Sequence, residues 1–178
     1  LNLSLKGPAS VSISNLDGKA GSLTLEEIGS ATVNSYDGAI AVKTGVTSFS
    51  ADNVVDLTGS TFLETETINM TGVVDPNHTG TTADQGPAIA YTTNTDMETV
   101  TLAGTWAGVD LSNQSNLATL VISGVIVGAI NLSTNADLVT ATLAGSSATG
   151  ITVNACDDLE ALTIDTTMRG TAAAATTI

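Results

Sequence analysis

Basic residues are almost missing from this chain. Lys6, Lys19, Lys43 and Arg169 stand against 18 acidic residues, for a formal net charge of −14. Phosphate recognition needs clustered cations, so neither nucleic acid nor an anionic membrane surface is an expected partner. Histidine occurs once, as His78 in the turn-like run Pro-Asn-His-Thr-Gly. A Ser or Cys nucleophile needs a base near neutral pKa, and His78 reads as a solvated loop residue. Cys156 is the only cysteine, so an internal disulfide is excluded. Zinc motifs with His or Cys pairs are absent, as is a phosphate-binding Gly-rich loop after a strand. The longest apolar run, residues 120–130, is interrupted by Ser123, Gly124 and Gly128. It is too short to cross a bilayer, so no membrane insertion is expected. No targeting segment is visible and the first residue is Leu. A mature product or a piece of a longer chain is therefore expected.

Aromatic residues are scarce too, at 3% of 178, while hydrophobic residues as a whole reach 42%. A core of small and β-branched side chains is implied, and such residues suit closely stacked, pleated backbone. Four segments align: METVTLAG from Met97, LATLVISG from Leu117, LVTATLAG from Leu138 and LEALTIDT from Leu159. Their offsets are 20, 21 and 21 residues, and three of them end in glycine, at Gly104, Gly124 and Gly145. Between them lie the triplets Val109-Asp-Leu111, Ile130-Asn-Leu132 and Ile151-Thr-Val153. Similar triplets fill the N-terminal part, from Leu3-Ser-Leu5 and Val11-Ser-Ile13 through Ala31-Thr-Val33 to Val55-Asp-Leu57 and Ile68-Asn-Met70.

Side chains alternate across a strand, so the flanking residues of each triplet point in and the middle one out. Three residues bury almost nothing alone, but equivalent triplets stacked on one another build a continuous aliphatic interior. The expected fold is all-β, a parallel β-solenoid of β-helix or leucine-rich-repeat type. Each rung has two short strands and about 16–21 residues. Leu102, Leu120, Ile122, Leu143, Leu162 and Ile164 are the expected core, and Cys156 reads as a packed thiol. A β-sandwich of short strands is the alternative.

The phrase CDDLEALTI places Cys156, Leu159, Leu162 and Ile164 where bacterial surface leucine-rich repeats of the BspA-like type carry a Cys or small residue and the Leu-x-x-Leu-x-Ile strand. Residues 97–178 resemble that family. The resemblance implies cell-surface display and adhesion and supplies no catalytic residues. The family's Ala-Phe position is not matched; Val153, Asn154 and Ala155 stand near it.

Residues 73–95 break the pattern and hold Pro76, Pro87, His78 and Tyr91. Three parts follow: an N-terminal solenoid half, 1–72; an inserted loop or boundary, 73–95; and a C-terminal half with four repeats, 96–178. Carboxylates are the abundant functional group. Asp157, Asp158 and Glu160 cluster at a turn, and Glu64 and Glu66 are expected on one strand face with Asp56 a rung away. Paired carboxylates can cleave polysaccharides, but a solvated acidic face is the preferred reading and no enzyme is expected. Calcium at Asp157 and Asp158 is the one candidate cofactor.

The outward residues of the four repeats are Thr99/Thr101, Thr119/Val121, Thr140/Thr142 and Ala161/Thr163. Stacked rungs would line these up in two columns, a candidate ligand face of Thr99, Thr101, Thr119, Thr140, Thr142 and Thr163. Such Thr-x-Thr ladders resemble the ice-binding face of several antifreeze proteins. Asn-x-Ser/Thr sequons occur at Asn2, Asn69, Asn77, Asn113 and Asn131. The first residues read as a strand and the last as uncapped, which points to continuation or to head-to-tail stacking. The expected function is a non-catalytic structural or adhesive module of an extracellular or cell-surface protein: a filament, sheath, surface layer or long adhesin. Its expected partners are itself or other surface proteins. The alternative is a binding module for ice or carbohydrate.

Overall fold

The computed structural model describes residues 2–15, 21–57, 60–62, 64–71, 85–90, 96–144, 149–165 and 176–177. Sixteen strands, β1 to β16 in chain order, and no helix occur among them. One face of the molecule stacks β2 (Ser10–Ile13), the first part of β4 (Ser30–Val42), the first part of β5 (Ser48–Asp56) and β6 (Thr67–Thr71). It continues through β8 (Thr99–Leu102), β10 (Thr119–Ile122), β13 (Thr140–Ala144) and β15 (Ala161–Asp165). Every pairing in this column is parallel, between strands one circuit of the chain apart. The protein is a parallel β-solenoid. A sandwich built from antiparallel hairpins would pair neighbours in sequence instead.

A second face precedes the first in each coil. In the N-terminal part it stacks β1 (Asn2–Lys6), β3 (Ser22–Glu26) and the last residues of β4. In the C-terminal part β7 (Gln85–Ala90) lies on β9 (Thr105–Asp110). Next come β11 (Val125–Ile126) and β12 (Ile130–Asn131), then β14 (Ile151–Thr152) and β16 (Thr176–Thr177). The two short strands expected per rung are therefore joined in places. β4 runs unbroken from one face to the other, with a register irregularity between Tyr36 and Ala39 where it turns the corner. Gly38 sits at that corner because a Cβ there would lie 2.7 Å from the Gly21 carbonyl oxygen.

The alternation read from the triplets is the packing rule of the structure. Val100, Leu102, Leu120, Ile122, Ala141 and Leu143 are fully buried, while the residues between them are half-exposed. Each buried aliphatic side chain contributes about 1.5–3 kcal/mol by leaving water. Two members of the expected core differ. Leu162 is only partly buried and Ile164 is 38% exposed, because β15 ends the described part of the column and no described strand covers it.

Among the described residues the aromatics Tyr36, Phe49, Phe62 and Trp106 lie inside. Phe49 and Phe62 meet edge to face at 5.3 Å. Trp106 is buried and donates its indole N–H to the Ala103 carbonyl at 3.1 Å. Tyr36 is buried as well, and desolvation pushes its phenol pKa up.

The register places the insertion more narrowly than the sequence pattern does. Steps along the first face are 18 to 21 residues, except that Thr67 pairs with Thr99, 32 positions on. Gln85 already pairs with Thr105, the ordinary distance of 20. The extra residues thus fall between Thr71 and Gln85, and the rest of the span 73–95 includes a strand. Pro87, which has no N–H to give, is skipped in that strand's register between Gly86 and Ala88.

Candidate functional site

The threonines selected from the sequence come together as expected. Thr99, Thr119, Thr140 and Ala161 are consecutive register partners, and so are Thr101, Val121, Thr142 and Thr163. The rungs are ~4.8 Å apart and the two columns ~6.6 Å apart along the strand, by the geometry of parallel sheet. The side chains are half-exposed, with Thr163 fully so.

The structure extends both columns through four more strands. Thr67 and Asn69 of β6 pair with Thr99 and Thr101; Ser48 and Ser50 of β5 pair with Thr67 and Asn69. Ser30 and Thr32 of β4 follow, then Ser10 and Ser12 of β2. All of these are half-exposed or exposed. Across the eight strands the positions of these two columns are Ser, Thr or Asn, with Val121 and Ala161 as the exceptions. None carries a charge, in a chain whose net charge is −14. Carboxylates stand beside the face instead: Glu66 and Glu98 come immediately before its strands, and Asp52 follows, where it accepts the Thr71 hydroxyl at 2.9 Å. The serine rungs were missed in the sequence because their triplets are spaced unevenly and end in no shared glycine. Their common signal is the small hydroxyl residue two positions before each outward triplet centre.

The corners that follow β9 and β12 hold a second ordered array. Asp110, Asn131 and Thr152 are register partners. The Asp110 carboxylate accepts the Ser112 N–H at 3.1 Å, the Ser112 hydroxyl at 2.7 Å and the Asn131 amide at 3.1 Å. Asn131 holds Ser133 in the same way, at 3.2 and 2.7 Å. These side chains replace backbone partners at a turn. The next residue, Asn113 or Thr134, has φ near +60°, and Ala155 repeats the conformation a coil later.

Inside this corner Gln114 and Asn135 are fully buried, and Asn135 binds both neighbours: it accepts the Gln114 N–H at 2.8 Å and donates to the Leu111 carbonyl at 2.9 Å. Cys156 stands one repeat later. It is half-buried rather than fully packed, and its thiol donates to the Leu132 carbonyl at 3.2 Å. Both residues reach back 24 positions, so the thiol stands in for an amide. Cys156→Asn is expected to keep the melting temperature at or above the parent's. Cys156→Leu should cost about 1–3 kcal/mol by leaving a carbonyl without its donor, read by denaturant unfolding.

Asp157, Asp158 and Glu160 are exposed and line, with Val139 and Leu159, an open shallow depression at the next turn. Among the described residues no group of three His, Cys, Asp or Glu side chains is placed to hold a metal ion. Glu64 and Glu66 do not share a strand face. Glu64 lies in a turn with φ of 64°, and Glu66 is exposed just ahead of β6 rather than in a strand. The turn is needed to bring the chain from the Phe62 corner to the first face. His78, Tyr91 and Arg169 lie outside the described residues.

No family model, curated protein or solved structure matches this chain.

Proposed function

We propose that this protein is a non-catalytic structural or adhesive module of an extracellular or cell-surface protein, part of a filament, sheath, surface layer or long adhesin. The observation that carries the reading is the unbroken parallel register from β2 to β15. Each coil rests on its neighbours alone, so the architecture makes length and a repeating surface rather than an enclosed pocket. Such a column can continue from one subunit into the next by edge pairing, which makes a second copy, stacked head to tail, the leading partner. Other surface proteins are the alternative partners. Calcium at Asp157 and Asp158 would lower the charge repulsion between stacked copies.

Electron microscopy of the purified chain, with and without millimolar calcium, tests assembly. Regular fibres support a polymer subunit, with a calcium requirement assigning the role of the two aspartates. Single short rods in both conditions remove self-stacking and the calcium role together. Antibody labelling of intact source cells tests display. Labelling that needs permeabilised cells sinks the surface reading.

A second reading is favoured by one observation, the neutral hydroxyl columns on an otherwise acidic molecule. We propose ice, or carbohydrate, as what this face would bind. Thr140→Lys with Thr142→Lys is expected to abolish ice shaping, or retention on insoluble polysaccharide, with the circular dichroism unchanged. A parent chain that neither shapes ice nor binds the polysaccharide removes this reading.

A further inference from the structure

The five sequons are equivalent in the sequence, and the fold makes them unequal. In Asn131-Leu-Ser133 the asparagine is half-buried and both ends of its amide are in use. The nitrogen donates to Asp110 at 3.1 Å, and the oxygen accepts the Ser133 N–H and hydroxyl. Asn2 of Asn2-Leu-Ser4 accepts both the N–H and the hydroxyl of Ser22 at 3.2 Å. Asn69 of Asn69-Met-Thr71 is exposed but sits mid-strand, flanked in register by Ser50 and Thr101, and its Thr71 hydroxyl is turned to Asp52. Asn77 lies outside the described residues.

Asn113-Gln-Ser115 differs. Asn113 and Ser115 are both exposed at a turn, with the buried Gln114 between them. The Asn113 amide makes one long contact, 3.4 Å to the Ser112 hydroxyl. Asn113 is exposed in a turn rather than in a strand, and its backbone is left-handed, with φ 61°.

We infer that Asn113 is the N-glycan acceptor among the four sequons in the described residues, taking its sugar from a glycosyl diphosphate donor. In the transfer, the Asn113 Nδ2 forms a bond to the anomeric carbon. The bond from that carbon to the donor's diphosphate oxygen breaks, and the diphosphate leaves with the electron pair. The amide proton passes to a base of the transferase. A role in the cell rests on the surface reading proposed above; acceptor competence does not.

The purified, folded full chain would be incubated with a soluble asparagine glycosyltransferase and UDP-glucose, and each sequon's occupancy read by peptide mass spectrometry. Asn113 is expected to carry the hexose in most molecules, Ser115→Ala to remove it, and Asn131 to stay bare. An unmodified Asn113 overturns the inference, as does Asn131 modified to the same extent. Cell labelling that fails without permeabilisation would sink the surface reading and leave the acceptor result standing.

Discussion

Leu143→Asp is expected to unfold the C-terminal coils at neutral pH. Leu143 is fully buried and stacks in register between Ile122 of the coil before and Ile164 of the coil after. Two terms add. Losing the leucine from a packed interior costs about 2–5 kcal/mol, the usual range for truncating a buried leucine to alanine. An unpaired carboxylate in that interior adds several kcal/mol more. The second term depends on pH in a definite sense. Burial raises the introduced carboxyl's folded-state pKa above its unfolded value, so the folded state binds more protons. Stability of the variant is therefore lost as pH rises from the unfolded-state pKa through the raised folded-state pKa, and is regained as pH falls through that same window. Leu143→Ala carries the first term without the second and should show no such dependence. Denaturant unfolding of both variants between pH 5 and 8 (roughly the range in which most proteins are at their most stable) separates them. An aspartate variant as stable as the parent at neutral pH would place residue 143 outside the core and break the register argued here.

Gly124→Ala is expected to be the next most damaging, through one added carbon. A Cβ at 124 would lie 2.6 Å from the Gly104 nitrogen and 2.8 Å from its carbonyl carbon, and closer still to the carbonyl oxygen. Real Cβ atoms essentially never come within 3.0 Å of other atoms, and backbone of a stacked coil cannot swing aside as a long side chain can. The same Gly104 carbonyl accepts the Val125 N–H at 2.7 Å, so relief of the clash breaks a rung-to-rung hydrogen bond. The cost is about 3 kcal/mol, the upper part of the range for overpacking. Coils depend on their nearest neighbours, so the damage should be local, with protease cleavage appearing first near residues 103–125. Gly108→Ala is the internal control. A Cβ there would meet only the Ala129 carbonyl oxygen, at 3.5 Å, an ordinary contact. Its melting temperature should stay within a few degrees of the parent's, and an equal loss in both variants would contradict the close-approach account.

Gly124 shows how far the sequence could be read. The glycine ending three of the four aligned repeats was visible as a pattern. The reason at Gly124 was not, because its close approach to Gly104, 20 positions back, exists only once the coils are stacked. The hydroxyl face divides in the same way. Thr99, Thr101, Thr119, Thr140, Thr142 and Thr163 were legible because their repeats are nearly equal in length. Ser10, Ser12, Ser30, Thr32, Ser48, Ser50, Thr67 and Asn69 joined them only through register, since unequal spacing hides alignment when the corners between strands vary in length. Cys156 was expected as a packed thiol and is half-buried against the core, because its exposure and its thiol-to-carbonyl bond depend on the turn geometry shared with Asn135.

Local composition and period were sufficient for the strand direction of each side chain. A three-residue apolar-polar-apolar unit has one way to hide its apolar atoms when stacked on its own kind. The parallel all-β class and the aliphatic core follow from that alone. Which residues meet was decided by the tertiary structure. Loop lengths between strands can change without disturbing the alternation, and only hydrogen bonding between whole coils selects the register. That selection put the extra residues of the long coil between Thr71 and Gln85, made a strand of Gln85–Ala90, and carried two uncharged columns through eight strands of the first face.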